Sequence, residues 1–389
     1  MTALPTAEWL NALLGLLQSV QLALLRVLHA LGLAGESHGQ AAWPWPQRLS
    51  GENLLIDLGQ ARGLAISLLL VVLALALLVV ALWWRRRRWM AGGLAGLAVA
   101  LVLFAPWPDT RVLLVPATPA SFHASPTGFS AAAIVQGGVV YARYCVACHG
   151  ADGQGQGPQA AVQPVWPPNL SGPLLWRRAD GDLLWHVLHG MRDRKGVQTM
   201  AGFAGQLSDA DAWAVIDYMK ALGAGQALRA AGLWPQPVAV PDLPVRCDGG
   251  PARPLSSWRG QRLRLVADGA GAVVQEDPRL VTVSLAFTGA ALPAGGCVAA
   301  SPDAWTALAL VAGVAPGELA GTQLLADRDG WLRARGQPGK ADWSEDDLVC
   351  RTEGTSGNSK ATPPADGLSA LIASMDAEPV RYVKGGFVH

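Results

Sequence analysis

The period of the apolar positions changes along the chain, and each change marks a different kind of segment. From Glu8 to Leu33 the chain is largely leucine, with Asn11, Gln18, Arg26 and His29 recurring at helical spacing as one polar stripe. Such a helix either crosses a bilayer with its stripe toward a neighbour or lies along the interface. Leu64 to Trp84 is an uncharged apolar run of 21 residues, long enough as a helix to cross a hydrocarbon core at about 1.5 Å per residue. Four arginines follow, Arg85 to Arg88, and then Trp89 to Trp107 is apolar again, sufficient to span and closed by Pro106-Trp107-Pro108. Helical spacing returns over Ser130 to Tyr144, with Ile134, Gly137, Gly138 and Tyr141 on one side, and over Asp182 to Met191. A further helix opens at Ser208 with an S-x-x-D box to Asp211 and carries Trp213, Ile216, Tyr218 and Met219 to Leu222. Beyond Ala239 the pattern shortens to strand-like runs at Leu263 to Val266 and Leu280 to Phe287, a helix over Pro302 to Val311, and an Asp329-Gly330 turn. The fold class expected is mixed and multidomain: N-terminal transmembrane α-helices, an all-α domain and an α/β C-terminal domain.

Composition agrees, with 51% hydrophobic and 15% charged residues, an apolar excess that comes from the first third of the chain. Positive residues stay on the cytoplasmic side, so Arg85 to Arg88 orient the two runs as a hairpin with everything after Trp107 outside. Trp83, Trp84, Trp89 and Trp107 stand at the run ends as interfacial anchors. If residues 8–33 also cross, Met1 is inside, Ala34 to Arg62 is outside, and the spans number three. The first helix has neither the basic start nor the small-residue cleavage site of a signal peptide, so its removal is not expected. Thr110 to Phe129, with Pro116, Pro119 and Pro126, is expected as an extended tether, in which a lone His123 is not expected to bind metal. Gly223 to Val240 has the composition of a linker. The resulting division is 1–108 membrane anchor with two or three transmembrane helices, 109–130 tether, 131–223 helical domain, 224–240 linker and 241–389 C-terminal domain.

Chemistry concentrates in Cys145-Val146-Ala147-Cys148-His149. Two thiols three apart, followed at once by an imidazole, form the attachment signature of c-type haem: each cysteine adds across a vinyl group, and the histidine reaches the iron. A zinc site would need a second pair of ligands at short spacing, and a redox dithiol has no use for the histidine. On the other side of the iron, Met200 lies in a glycine-bounded loop from Gly196 to Phe203. Met191 ends the preceding helix, where it is expected as core, and His186 and His189 fit a surface or a core position better than a bis-histidine site. A thioether opposite an imidazole favours ferrous iron and electron passage over oxygen binding.

This layout resembles the small class I monohaem cytochrome c family over about residues 131–223. The resemblance implies an all-α cytochrome c domain holding one covalent haem c, with Cys145 and Cys148 as thioethers and His149 and Met200 as axial ligands. It also implies a crossing of first and last helices at a glycine with aromatics in the contact, roles that Gly137, Tyr141, Trp213 and Tyr218 match. Ala201 departs from the proline common there. Residues of about 35–135 loosely resemble the tail of the copper resistance protein D membrane family when fused to cytochromes, although only His29, His38 and Met90 stand near the runs as copper ligands. Pro241 to Val245, Leu255 to Gly260 and Gly321 to Gly330 resemble thioredoxin-like redoxins, without their C-x-x-C and without a proline before Thr322. Of Cys247, Cys297 and Cys350, a structural disulfide plus one free thiol is expected, with a redox-active or copper-binding pair as the alternative; spacing does not give the pairing. Asp342 to Asp347 is expected as an acidic surface run and the stretch from Arg351 to Leu368 as a mobile tail.

The function expected is a membrane-anchored periplasmic c-type cytochrome of a bacterial cytoplasmic membrane, relaying single electrons. Its partners would be the membrane and redox proteins, with no nucleic acid. The alternatives are a copper-homeostasis protein that uses its cytochrome for copper reduction or sensing, and an electron-transfer subunit of a larger membrane complex. No catalytic triad, nucleotide loop or dinucleotide fingerprint occurs, which favours a carrier or subunit over a stand-alone enzyme. Between Gln136 and Leu222 basic and acidic residues balance at seven each, so long-range steering is not expected, although Arg192, Arg194 and Lys195 form a local basic patch.

Overall fold

The computed structural model describes residues 6–49, 54, 57–172, 175, 178–269, 274, 276–287, 296–340, 342–350, 367–383 and 386–388. The chain forms two compact units, residues 1–119 with 383–388, and residues 120–382.

In the first unit α1 (Thr6–Ala30), α2 (Leu58–Trp83) and α3 (Arg88–Leu103) account for the three apolar runs. Asp57 starts α2 by accepting from the Gly59 and Gln60 amides at 2.9 and 3.1 Å. Ser67, Ala74 and Ala81 recur every seven residues on its buried face, and their small size lets α3 pack closely along it. The 26 residues of α2 suffice to cross a bilayer, as do Ala12–Ala30 of α1 by length and composition. The helical part of α3 is shorter than the apolar run that contains it: 16 residues reach about 24 Å against a core of about 30 Å. It stops ahead of Pro106 and Pro108 because the residue before a proline is driven out of the helical region.

Between α1 and α2 a short hairpin joins β1 (Glu36–Ser37) to β2 (Gln40–Ala41), and β3 (Gln47–Leu49) pairs antiparallel with β4 (Leu114–Pro116). Part of the stretch expected as a tether is thus a strand. Thr110–Leu113 ahead of it is a helical turn rather than extended chain, and the part from Ala120 on, in the second unit, is pinned: Ala120, Ser121 and His123 are buried, Ser121 donates to Asp182, and Thr127 donates to Asp217. Prolines in the sequence suggested extension, whereas the buried carboxylates that hold this segment lie 61 and 90 residues away.

The second unit begins with α4 (Ala131–Tyr144), capped by Ser130, and the single turn α5 (Val146–His149). Then come α6 (Asp180–His189), the strands β5 (Met191–Arg192) and β6 (Gln198–Met200), and α7 (Asp209–Ala231). Helix α6 begins and ends two residues earlier than its apolar pattern suggests, which leaves Met191 in a strand rather than at a helix end. Helix α7 continues through residues 224–231, where composition had suggested a linker, and ends only at the left-handed Gly232. Its last turns are held by contact with α8 (Pro302–Ala312), which packs on both α4 and α7; a Cβ on Gly225 would stand 1.9 Å from the Leu310 carbonyl oxygen.

An eight-stranded sheet follows, built from β7 (Val238–Ala239), β8 (Pro244–Cys247), β9 (Arg253–Pro254), β10 (Arg262–Ala267), β11 (Leu280–Ala286), β12 (Cys297–Ala300), β13 (Gln323–Ala326) and β14 (Trp331–Gly336). Its order is β7-β14-β13-β10-β11-β12-β8-β9, with β10, β11 and β12 parallel and their flanks antiparallel. Helix α9 (Gly367–Ala377) packs Leu371, Ile372 and Met375 against Leu280, Leu325 and Ala334 of one sheet face. Cys247 and Cys297 are register partners across β8 and β12 and are joined as a disulfide, while Cys350 is a buried free thiol pushed up to about 11 by burial. Asp347 departs from the acidic surface run expected of residues 342–347: it is buried and paired with Lys340 at 2.8 Å. The stretch expected as a tail, residues 351–366, lies outside the described residues.

Candidate haem site

Helices α4 and α7 cross at Gly137. A Cβ there would lie 2.0 Å from the Ala214 carbonyl oxygen and 2.8 Å from Tyr218 Cβ, so only glycine lets the two backbones approach this closely. Tyr141 sits one turn on, fully buried, with its ring 5.2 Å from that of Tyr218. Its hydroxyl donates to the Gly150 carbonyl at 2.8 Å, which ties α4 to the turn after His149, and burial raises its pKa. Trp213, Ile216, Met219 and Leu222 of α7 join Val140, Leu184, Val187 and Leu188 in one core.

The five residues of the attachment motif follow from this crossing. Cys145 ends α4 and starts α5, so Cys148 and His149 occupy the same short turn; the His149 amide donates to the Cys145 carbonyl at 2.9 Å. The turn is braced from outside by amides of Gly155, Gly157 and Gln159, which donate to the carbonyls of His149, Cys148 and Ala147 at 2.8, 3.1 and 2.8 Å. Neither Cys145 nor Cys148 is in a disulfide, and burial pushes the Cys145 thiol up to about 12. Burial lowers the pKa of His149, against the raising effect of the nearby Pro168 carbonyl, which the sequence pattern gave no reason to single out. A neutral imidazole and two free thiols are the donor set that covalent haem attachment requires.

The methionine region is a hairpin rather than an irregular loop. Met191 and Met200 are register partners across β5 and β6 and are both half-buried, so their thioethers project from the same face of the ladder. This corrects the expectation that Met191 is core. The hairpin seats against the end of α6, where the Phe203 and Ala204 amides donate to the Val187 and Leu188 carbonyls at 3.1 and 2.9 Å. Phe203 also meets Tyr144, the residue before Cys145, at 5.8 Å between ring centres. The hairpin turn carries Arg192, Arg194 and Lys195 on the surface, with Arg192 donating to the Gly196 carbonyl at 2.9 Å. His189 is exposed and stacks on Trp185 at 3.9 Å; His186 is half-buried, its pKa lowered first by burial and then by Arg178. Around the site Tyr144, Val146, Leu170, Trp185 and Phe203 are only partly buried while packed against the core.

A buried polar cluster, unforeseen in the sequence, stands on α7. Asp217 is 3% exposed, accepts from Thr127, and has Lys220 and Asp180 as charged neighbours, themselves an ion pair. Burial raises its pKa to about 6, against the lowering effects of Thr127 and Lys220. A carboxyl whose folded pKa exceeds its unfolded value weakens the fold once it is ionised, so stability rises as the pH falls through 6 toward 4. Asp217→Asn should therefore stabilise the domain by of order 2–3 kcal/mol at pH 8 and change little near pH 4. Melting temperatures of both proteins across that range test this; an Asn variant less stable at pH 8 contradicts it.

The family described as cytochrome C oxidase, cbb3-type, subunit III matches residues 132–219, so this part of the chain is a cytochrome c domain. Comparison with curated proteins gives no match. Among solved structures, a chain of the reducing HAO-like protein complex of Kuenenia stuttgartiensis is 20% identical over 32% of this chain and 59% of its own, with a TM-score of 0.23. The match thus spans less than two thirds of that chain.

Proposed function

We propose that this protein is a membrane-anchored, extracytoplasmic electron carrier with one haem attached through Cys145 and Cys148 and ligated by His149 and Met200. The observation that carries the reading is the attachment motif on a single braced turn inside a matched cytochrome c domain. The residues suit the group: two free thiols three apart, a half-buried imidazole beside them, and a rim of half-buried apolar side chains of the kind a flat macrocycle would cover. When bound, such a haem supplies a one-electron ferric–ferrous couple. The chain's part is to hold the imidazole neutral, to keep water from the metal through Tyr144, Leu170, Trp185 and Phe203, and to offer a thioether that favours the reduced state.

Helices α2 and α3 would form the anchor, with residues 104–107 completing the shorter crossing and Arg85 to Arg88 on the cytoplasmic side. The parallel β10–β12 core with its β13–β14 hairpin supports a thioredoxin-like reading of residues 241–389, as a docking domain without dithiol chemistry. A second reading, a subunit of a larger oxidoreductase, is favoured by the description of the matched family as a subunit. The copper alternative has less support, because Cys247 and Cys297 are joined and offer no thiolates. Reductive titration of the purified chain, followed by visible absorbance, tests the carrier: one electron per chain is expected with a Nernst slope of about 59 mV per decade. A chain without redox-active visible absorbance overturns it.

A further inference from the structure

We propose that α1 lies flat in the outer lipid–water interface, its exposed apolar stripe sunk among acyl chains, and does not cross the bilayer as a third span. The inference rests on the reading of α2 and α3 as a membrane hairpin with the arginines inside.

Two sets of contacts fix where α1 sits. Its first half buries Leu10, Leu13 and Leu14 in one cluster with Leu54, Ala61 and Leu64, against which Val112 and Leu113 also pack. Ala61 and Leu64 belong to the first turns of α2, and Val112 and Leu113 follow α3, so the cluster marks the end of the hairpin away from Arg85 to Arg88. Its middle is tied to the same end: Gln21 accepts from the Leu49 amide at 2.8 Å and donates to the Leu49 carbonyl at 3.3 Å, and Leu49 pairs with Leu114. A helix crossing from inside to outside would instead lay its first half beside the arginine end of α2.

The surface of α1 then divides as an interfacial helix requires. Leu16, Val20, Leu24, Val27 and Leu31 are all exposed, and at 100° per residue they fall within about 80° of one another. Arg26 and His29 are exposed on the opposite side, with half-buried Gln18 and Leu22 among them, and the buried face flanks the stripe. From Leu16 to Leu31 the stripe runs about 22 Å. It continues from the cluster that joins α1 to the hairpin, whose own exposed Ile66 and Leu69 lie just beyond. Lipid is therefore the occupant, with the apolar stripe down and the polar side toward water.

Variants that each add one cysteine to the full chain, made in a host that attaches haem, test the proposal with a membrane-impermeant maleimide. Wild type supplies the background, and a retained haem-stained band shows that each variant is made and exported with its cytochrome c domain folded. Gln18→Cys, midway along the helix, and Arg26→Cys should both label from outside in intact spheroplasts. Leu24→Cys should label at least about tenfold more slowly until detergent is added, and Arg86→Cys only after the membrane is breached. Protection of Gln18→Cys or Arg26→Cys until breach or detergent means that α1 spans, and overturns the proposal. Free labelling of Leu24→Cys from outside, or its cross-linking to a second copy of the chain, overturns the lipid contact. Labelling of Arg86→Cys from outside instead removes the hairpin reading on which the proposal stands.

Discussion

Gly137→Val should leave the cytochrome c domain largely unfolded and unable to retain its chromophore. Even a methyl group at this position would stand 2.0 Å from the Ala214 carbonyl oxygen, a backbone atom that cannot move unless α4 and α7 separate. Those two helices carry Tyr141, Trp213 and Ile216 into the core, and α4 ends on Cys145, so separation disorders core and attachment turn together. Ordinary overpacking costs about 1–3 kcal/mol, and a clash with backbone exceeds that, against a total stability of about 5–15 kcal/mol. Gly205→Val is the matching control, because nothing lies within 4 Å of a Cβ there. Thermal unfolding by circular dichroism distinguishes the two; a Gly137→Val protein as stable as the Gly205→Val protein contradicts the crossing.

Met200→Ala is expected to abolish the far-red thioether charge-transfer band and to lower the potential by on the order of 0.1 V, within the roughly 0.8 V span that axial ligands command. Met191→Ala is expected to do neither. The comparison is sharp because the hairpin sets the two thioethers side by side on one face, while only one would reach the iron. Retention of the band in Met200→Ala together with its loss in Met191→Ala would exchange the two assignments.

What the sequence disclosed and what it hid divide along the line between local and distant contacts. Ser208 was legible as a helix start because a cap acts within three residues, and it accepts the Asp211 amide; Ser130, where the helical spacing begins, caps α4 in the same way. The attachment motif was legible because its chemistry needs five consecutive residues. Gly223 and Gly225 read as breakers, yet Gly225 lies within a helix since α8, some 85 residues further along, requires its missing side chain. The Met191–Met200 pairing was hidden by a turn of polar residues that carries no apolar period. The anchoring of Ser121 and Thr127 depends on Asp182 and Asp217, and the Cys247–Cys297 bond on the meeting of β8 and β12, events no local pattern announces.

The most direct measurement is the visible spectrum and mass of the purified chain after full denaturation. The account predicts that colour stays with the polypeptide, at one haem per chain, and leaves it when Cys145 and Cys148 are both replaced by alanine. A colourless denatured polypeptide with the mass of the bare chain would contradict it.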